Sequence, residues 1–76
     1  MEYVLVVRAN FSDTKTITKY VWEDVQEYLR HQLSNLTTSV EIIKYSVDGK
    51  TLGRKYVTMG DLYGVCVSPK DDILKR

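Results

Sequence analysis

The sequence is poor in the residues that most often carry chemistry: it has one cysteine, Cys66, and one histidine, His31. One cysteine excludes an internal disulfide, and with it the class of small secreted scaffolds stapled by such bonds. No group of His, Cys and carboxylate residues has metal-site spacing, and the four glycines match no phosphate-binding loop. A general base needs a partner that a lone histidine does not have. We therefore expect a non-enzymatic protein with no catalytic residues, no metal and no cofactor.

An excess of charge of one sign is also missing, since 11 basic residues stand against 10 acidic ones and the net charge is +1. This balance excludes the strongly basic domain that is typical of general nucleic-acid binders. The longest apolar run, residues 3–7, is too short to cross a bilayer or to form the core of an export signal. We therefore expect a cytoplasmic protein without membrane contact, in which residues 1–76 form one domain with a thin core.

A helix is predicted over residues 17–36, where apolar residues recur at steps of three and four. Thr16 or Thr18 is a candidate cap, and acidic residues follow near the positive end of the helix dipole. Arg30 and His31 lie near the negative end, which gives His31 a structural role rather than a catalytic one. Cys66 stands in a Val-Cys-Val run and is predicted to be a small buried hydrophobe.

Four strands are predicted from runs rich in β-branched and aromatic residues, over residues 2–9, 39–47, 50–59 and 62–68. Two dipeptides, Asp48-Gly49 and Gly60-Asp61, have the composition of two-residue hairpin turns. Proline has no N–H to donate to a sheet, so residues 69–76 are expected to be a flexible or short helical tail.

The predicted fold class is α+β, in the order β-α-β-β-β, with one helix packed on a four-stranded mixed or antiparallel sheet. The first strand is expected at an edge of the sheet. Its neighbour is either the second strand, through a right-handed crossover, or the fourth strand. Both arrangements are compatible with the pattern.

One helix covers only one face of such a sheet, so the other face determines the functional expectation. Alternation along the strands places these residues on the covered face: Leu5, Val7, Ile43, Tyr45, Val47, Val57, Met59, Tyr63, Val65 and Val67. It places these on the opposite face: Val4, Val6, Arg8, Val40, Ile42, Lys44, Arg54, Tyr56, Leu62 and Cys66. About half of the opposite face is aliphatic or aromatic, and exposed apolar patches beyond a few hundred Å² usually mark an interface. All of these residues except Cys66 are predicted to form an interaction face.

The leading hypothesis is a small interaction protein that acts stoichiometrically and binds another protein, or itself as a homodimer, through the open sheet face or an edge strand. Small proteins without catalytic groups include modulators and inhibitors of larger proteins, among them phage proteins that disable host machinery, and the placement rests on that analogy. The competing hypothesis is a nucleic-acid binder that uses a basic, aromatic sheet surface. Its candidate contacts are Arg8, Lys44, Lys50, Arg54, Lys55 and Tyr56. Basic residues on edge strands also protect against aggregation, which weighs against this second hypothesis.

Overall fold

The computed structural model describes residues 1–9, 14–32 and 37–74, which form two β-hairpins separated by a helix and followed by short helical segments. The elements are β1 (Glu2–Ala9), β2 (Lys15–Lys19), α1 (Trp22–Gln32), β3 (Thr37–Tyr45), β4 (Thr51–Thr58), a 3-10 turn (Met59–Asp61), α2 (Leu62–Val67) and a C-terminal 3-10 turn (Asp71–Leu74). The predicted α+β class is confirmed, but the described order is β-β-α-β-β-α rather than β-α-β-β-β.

The four described strands form one antiparallel sheet in the order β2-β1-β3-β4. Strand β1 therefore lies inside the sheet, between the other strand of its own hairpin and the first strand of the second hairpin. The edge position predicted for the first strand is wrong. The reason is the extra strand β2, which occupies the place beside β1. Of its two predicted neighbours, the strand predicted over residues 39–47 does pair with β1, but it is antiparallel, so the right-handed parallel crossover is wrong.

Residues 15–19 form strand β2, although residues 17–19 were predicted to begin the helix and residues 15–16 to belong to the loop before it. Three consecutive β-branched residues, Thr16, Ile17 and Thr18, disfavour a helix because their side chains are restricted against the preceding turn. Pairing with β1 places Ile17 opposite Leu5, which gives this segment an apolar partner. Helix α1 begins at Trp22, and the Val21 carbonyl accepts the first hydrogen bond from the Val25 N–H at 3.2 Å.

The amphipathic character predicted for the central helix is confirmed in α1. Trp22, Val25 and Leu29 are buried, while Arg30 and His31 lie exposed in the last turn. Two parts of the predictions lie outside the described residues. One is residues 10–13 of the loop expected over residues 10–16, between the first strand and the helix, and the other is the helix end at 33–36. The last two residues of the predicted tail, 75–76, also lie outside them.

The second hairpin confirms the turn signal at Asp48-Gly49. Gly49 has a φ of +88°, a conformation that residues with a Cβ rarely adopt. The Ser46 N–H donates to the Lys50 carbonyl at 2.8 Å, and the Gly49 N–H donates back to the Ser46 carbonyl at 3.0 Å. The connection is therefore a three-residue loop with a left-handed glycine, one residue longer than predicted.

Residues 62–67 form helix α2, so the fourth strand predicted over 62–68 is wrong. The Gly60-Asp61 hairpin turn is wrong as well, because both residues belong to a 3-10 turn. The Asp61 carboxylate accepts hydrogen bonds from the hydroxyl and the N–H of Thr58, at 3.2 and 3.5 Å. This Thr-x-x-Asp arrangement caps a helical start, and it ends β4 at Thr58.

The core lies between one face of the sheet and the helical segments. Its buried apolar residues are Tyr3, Leu5, Val7, Trp22, Val25, Leu29, Val40, Ile42, Val57, Val65 and Leu74. Helices α1 and α2 and the C-terminal turn all contribute to this cluster, so they lie on the same side of the sheet. Within the ranges that the structure describes, no helix contributes to a core on the other side.

Candidate functional site

The outward side chains of the four strands form a surface that we call the open face. Side chains that are directly paired across strands share a face of the sheet. The pairing therefore assigns the open face to Val4, Val6, Arg8, Thr16, Thr18, Glu41, Ile43, Tyr45, Arg54 and Tyr56. On β1 and β4 the structure confirms the predicted direction of the side chains, because Leu5, Val7 and Val57 are buried. Whether the face binds anything remains a prediction.

On β3 the predicted direction is wrong for every residue that was assigned. Val40 and Ile42 were placed on the interaction face, but both are completely buried in the core. Ile43 and Tyr45 take their places on the open face, because Ile43 is paired with Val4 and Tyr45 with Glu2. Both sets of side chains on this strand contain apolar residues, so alternation alone gives two acceptable answers.

Three further residues that were predicted on the interaction face lie in different parts of the structure. Lys44 lies on the covered face, where its ammonium group is 2.5 Å from the Asp71 carboxylate. Leu62 belongs to α2 and packs, half-buried, against the core. Arg8 is exposed at the far end of β1, in the row of Ser39.

An apolar column runs along the middle of the open face. Val4 lies between Thr18 and Ile43, and Val6 lies between Thr16 and Glu41. The three aliphatic residues are only partly buried, which means that neighbouring side chains rather than another layer of the protein shield them. Tyr56, half exposed, continues the apolar surface on β4, opposite Glu41.

Few charges interrupt this column. The Arg54 guanidinium lies 3.8 Å from the Glu41 carboxylate, a pair across β3 and β4 that leaves Arg54 largely exposed. Such exposed pairs contribute little to stability, so their main consequence is to set the charge pattern of the face.

A shallow cavity of about 320 Å³ extends the open face at one end of the sheet. Its walls are formed by Met1, Glu2, Tyr20, Ser46 and Val47, and the side chains of Tyr20 and Val47 are well exposed. The apolar surface therefore continues from the aliphatic column onto this corner.

The six residues predicted to contact nucleic acid do not form one surface. Arg8, Arg54 and Tyr56 lie on the open face, and Lys50 follows the exposed loop of the second hairpin. Lys44 and Lys55 lie on the other side of the sheet. The two lysines are paired with Gly53 and Ile42 respectively, in rows that belong to the covered face.

A polar cluster holds the C-terminal turn against the covered face. The Tyr3 hydroxyl donates to the Asp71 carboxylate at 2.5 Å, and the Lys44 ammonium group contacts the same oxygen atom at 2.5 Å. Burial alone would raise the pKa of the Asp71 carboxyl, but the hydrogen bonds from Lys44 and Tyr3 outweigh it and lower the pKa. The tail predicted as flexible or helical is therefore docked over Asp71–Leu74.

Acid is expected to detach this turn. Because the pKa of Asp71 is lowered on folding, its contribution to stability is present above the unfolded value of about 3.9 and is lost as pH falls through the folded pKa. We expect Asp71→Asn to reduce the free energy of unfolding near pH 7 by about 1–2 kcal/mol and to weaken its decline below about pH 4. Urea unfolding across this pH range checks the result, with the exposed Asp72→Asn as the matched control. An equal effect of both substitutions would contradict the role given to Asp71.

A second polar contact fixes α2 to α1. The buried Gln26 amide donates to the carbonyls of Val65, Cys66 and Ser68, at 2.9, 3.3 and 2.7 Å. The Trp22 indole N–H donates to the Ser68 carbonyl at 3.0 Å. Helix termini leave carbonyl groups without an intrahelical partner, and these donors supply partners to the carbonyls at the end of α2, where the Val65 carbonyl also accepts from the Ser68 N–H at 3.3 Å. Cys66, which was predicted to be a buried hydrophobe in a strand, is only partly buried and lies in this helix.

These features define a class of structure: an α+β domain with a four-stranded antiparallel sheet, helical segments on one face, and the other face open. No protein-family model matches the chain, and no curated protein or solved structure is significantly similar to it. No helix among the described residues has the length and apolar character needed to cross a membrane. Over the same residues, no three His, Cys, Asp or Glu side chains are grouped so that they could hold a metal ion.

Proposed function

We propose that this protein is a non-enzymatic interaction module that binds proteins stoichiometrically through the open face of its sheet. The observation that supports the proposal is the partly exposed column of Val4, Val6 and Ile43, continued by exposed aromatic side chains. Contiguous exposed apolar surface of this kind is uncommon on monomers and usually marks an interaction site. The cytoplasm is the expected compartment.

A second copy of the chain is one partner that we propose for the open face. With strands about 4.8 Å apart and a rise of about 3.4 Å per residue, one face of the four-stranded sheet has an area of roughly 450 Å². Two such faces in contact would bury roughly 900 Å² in total. That area is close to the lower bound of about 1,000 Å² for a specific interface. A two-fold axis perpendicular to the strands places Glu2 of one copy over Arg8 of the other, and Val4 over Val6.

Substitution of Val6 by lysine tests the proposal, because it places a charge at the centre of the apolar column. We expect sedimentation equilibrium to show a wild-type dimer and a folded Val6→Lys monomer, with the equilibrium weakened by at least about tenfold. Val21→Lys is the matched control, since Val21 is an exposed valine that lies outside the strands, immediately before α1. The proposal would be contradicted if the wild-type protein were a monomer and if Val6→Lys captured the same protein partners as the wild type equally well.

Nucleic-acid binding is the competing function. It would use the positive side chains that remain on the open face, Arg8 and Arg54, together with Tyr56. Salt separates the two functions, because phosphate contacts weaken steeply as the salt concentration rises whereas an apolar interface does not. Modulation of a larger host protein, as by phage inhibitors, is a narrower form of the main proposal and rests on analogy of size alone.

A further inference from the structure

Strand β2 is an edge of the sheet whose outer side has no strand partner among the described residues. It pairs with β1 on one side, and Lys15, Thr16 and Thr18 are exposed. An edge strand presents unpaired N–H and C=O groups, which another extended chain can use as a template. The opposite edge strand, β4, is contacted by the C-terminal turn, by α2 and by the 3-10 turn at Met59–Asp61, whereas β2 is contacted by α1, so β2 is the less covered edge among the described residues.

The sequence of β2 determines which chain the edge accepts. It reads Lys15-Thr16-Ile17-Thr18-Lys19, the same in both directions, and it has no acidic residue. If two copies paired antiparallel through β2, Lys15 of each would stand opposite Lys19 of the other. Like charges directly opposite each other destabilise a sheet, whereas opposite charges stabilise it. The edge therefore rejects a second copy and favours a strand with acidic residues at the same spacing.

A groove runs beside this edge on the helix side. It has a volume of about 410 Å³ and is lined by Lys19, Asp24, Glu27, Tyr28 and His31. The Lys19 ammonium group lies 5.6 Å from the centre of the Tyr28 ring. The Tyr28 hydroxyl is buried without a hydrogen-bond partner in the described structure, and burial raises its pKa, so it is a neutral donor.

A side chain placed opposite Lys19 on an added strand would point to the same side of the sheet as Lys19, toward this groove. A carboxylate there gains Lys19, but it also meets Asp24 and Glu27 on the helix wall. Lys15 does not line the groove. A carboxylate opposite Lys15 therefore avoids that repulsion, and we expect it to provide the larger share of the selectivity.

We propose that β2 accepts an extended acidic segment of another protein as a fifth, antiparallel strand, with carboxylates opposite Lys15 and Lys19 and a β-branched residue opposite Ile17. Hydrogen bonds between the two backbones would supply the affinity. Every second side chain of the added strand would supply the specificity, as in other cases of strand addition. The inference deepens the proposed function and rests on it, but it uses the edge of the sheet rather than the open face.

The test is fluorescence anisotropy with two labelled peptides, Gly-Ser-Glu-Thr-Val-Thr-Glu-Gly-Ser and the same peptide with both Glu residues replaced by Lys. We expect the wild-type chain to prefer the acidic peptide by at least about fivefold, and Lys15→Glu/Lys19→Glu to reverse the preference. Lys50→Glu/Lys70→Glu is the matched control, because it changes the net charge equally at two exposed positions away from the edge. It should keep the wild-type preference.

Several outcomes would overturn the inference. These are no binding of the acidic peptide up to about 1 mM, equal binding of both peptides, or the same reversal in the control variant. The inference would also be overturned if an oligothymidylate bound more tightly than the acidic peptide and if Lys15→Glu/Lys19→Glu abolished that binding. The edge would then bind phosphate groups rather than carboxylates. The open face is tested separately: if Val6→Lys still abolishes the dimer while the peptide fails, only the edge inference is wrong.

Discussion

Lysine in place of Ile42 is expected to unfold the domain, whereas lysine at the neighbouring Ile43 is expected to leave it folded. Ile42 is completely buried among the core side chains. A charge introduced there loses water without gaining a partner, at a cost of about 3–5 kcal/mol. That is a large part of the roughly 5–15 kcal/mol that stabilises a domain. Ile43 faces the open side, where an ammonium group remains hydrated and its alkyl chain lies along the sheet.

Urea unfolding followed by circular dichroism measures both effects. We expect Ile42→Lys to lose at least about 3 kcal/mol of unfolding free energy, or to be unfolded in buffer, and Ile43→Lys to lose about 1 kcal/mol or less. The pair is a stringent comparison because the two positions are adjacent and the substitution is the same. Equal losses, or a larger loss at Ile43, would mean that β3 presents its other side to the core.

The second large effect is expected at Gly53, where β4 lies against the backbone of Leu74. A Cβ at this position would lie 2.1 Å from the Leu74 carbonyl oxygen, which no real Cβ tolerates. Gly53→Ala must therefore push the C-terminal turn away, exposing the buried Leu74 and breaking the contacts of Asp71 with Tyr3 and Lys44. We expect a loss of about 2–4 kcal/mol in the free energy of unfolding.

Gly64→Ala is the matched control, because Gly64 lies inside α2 with no atom near the position of a new Cβ. There alanine should stabilise the helix by up to about 1 kcal/mol. The double variant Gly53→Ala/Asp71→Asn should lose less than the sum of the single losses, since both substitutions release the same turn. Full additivity, or a neutral Gly53→Ala, would contradict the docking of this turn.

Local patterns predicted several elements of the fold. The spacing of Trp22, Val25 and Leu29 predicted a helix with one buried side, and Asp48-Gly49 predicted the second hairpin. The assignment of Leu5 and Val7 to the core was right, although the middle of β1 is apolar at every position and such a run predicts burial on both faces. The α+β class follows from these elements together.

The errors arise where local pattern and tertiary packing disagree. A helical spacing can be extended from α1 back through Ile17, and only the β-branched run around it indicated a strand. Residues 62–67 have the composition of a strand but fold as a helix. That helix depends on the Gln26 amide, whose hydrogen bonds to its last carbonyls connect positions about 40 residues apart. The Thr58-x-x-Asp61 cap was the one local signal for it.

The candidate surface was predicted in part for the same reasons. Val4, Val6, Arg8, Arg54 and Tyr56 lie on the open face as expected. The assignments on β3 required its register against β1, which pairs Val4 with Ile43 and is not visible in the sequence of either strand. The accessible edge at β2 was missed because this strand was not predicted.

The central claim is that one face of the sheet is covered and the other is open. A soluble paramagnetic relaxation agent added to methyl-labelled protein at low concentration tests this claim directly, because it broadens the signals of accessible methyl groups. We predict broadening for Val4, Val6 and Ile43, and sharp signals for Leu5, Ile42 and Val57. Equal protection of the two sets in the monomer, or broadening of the second set instead, would contradict the account.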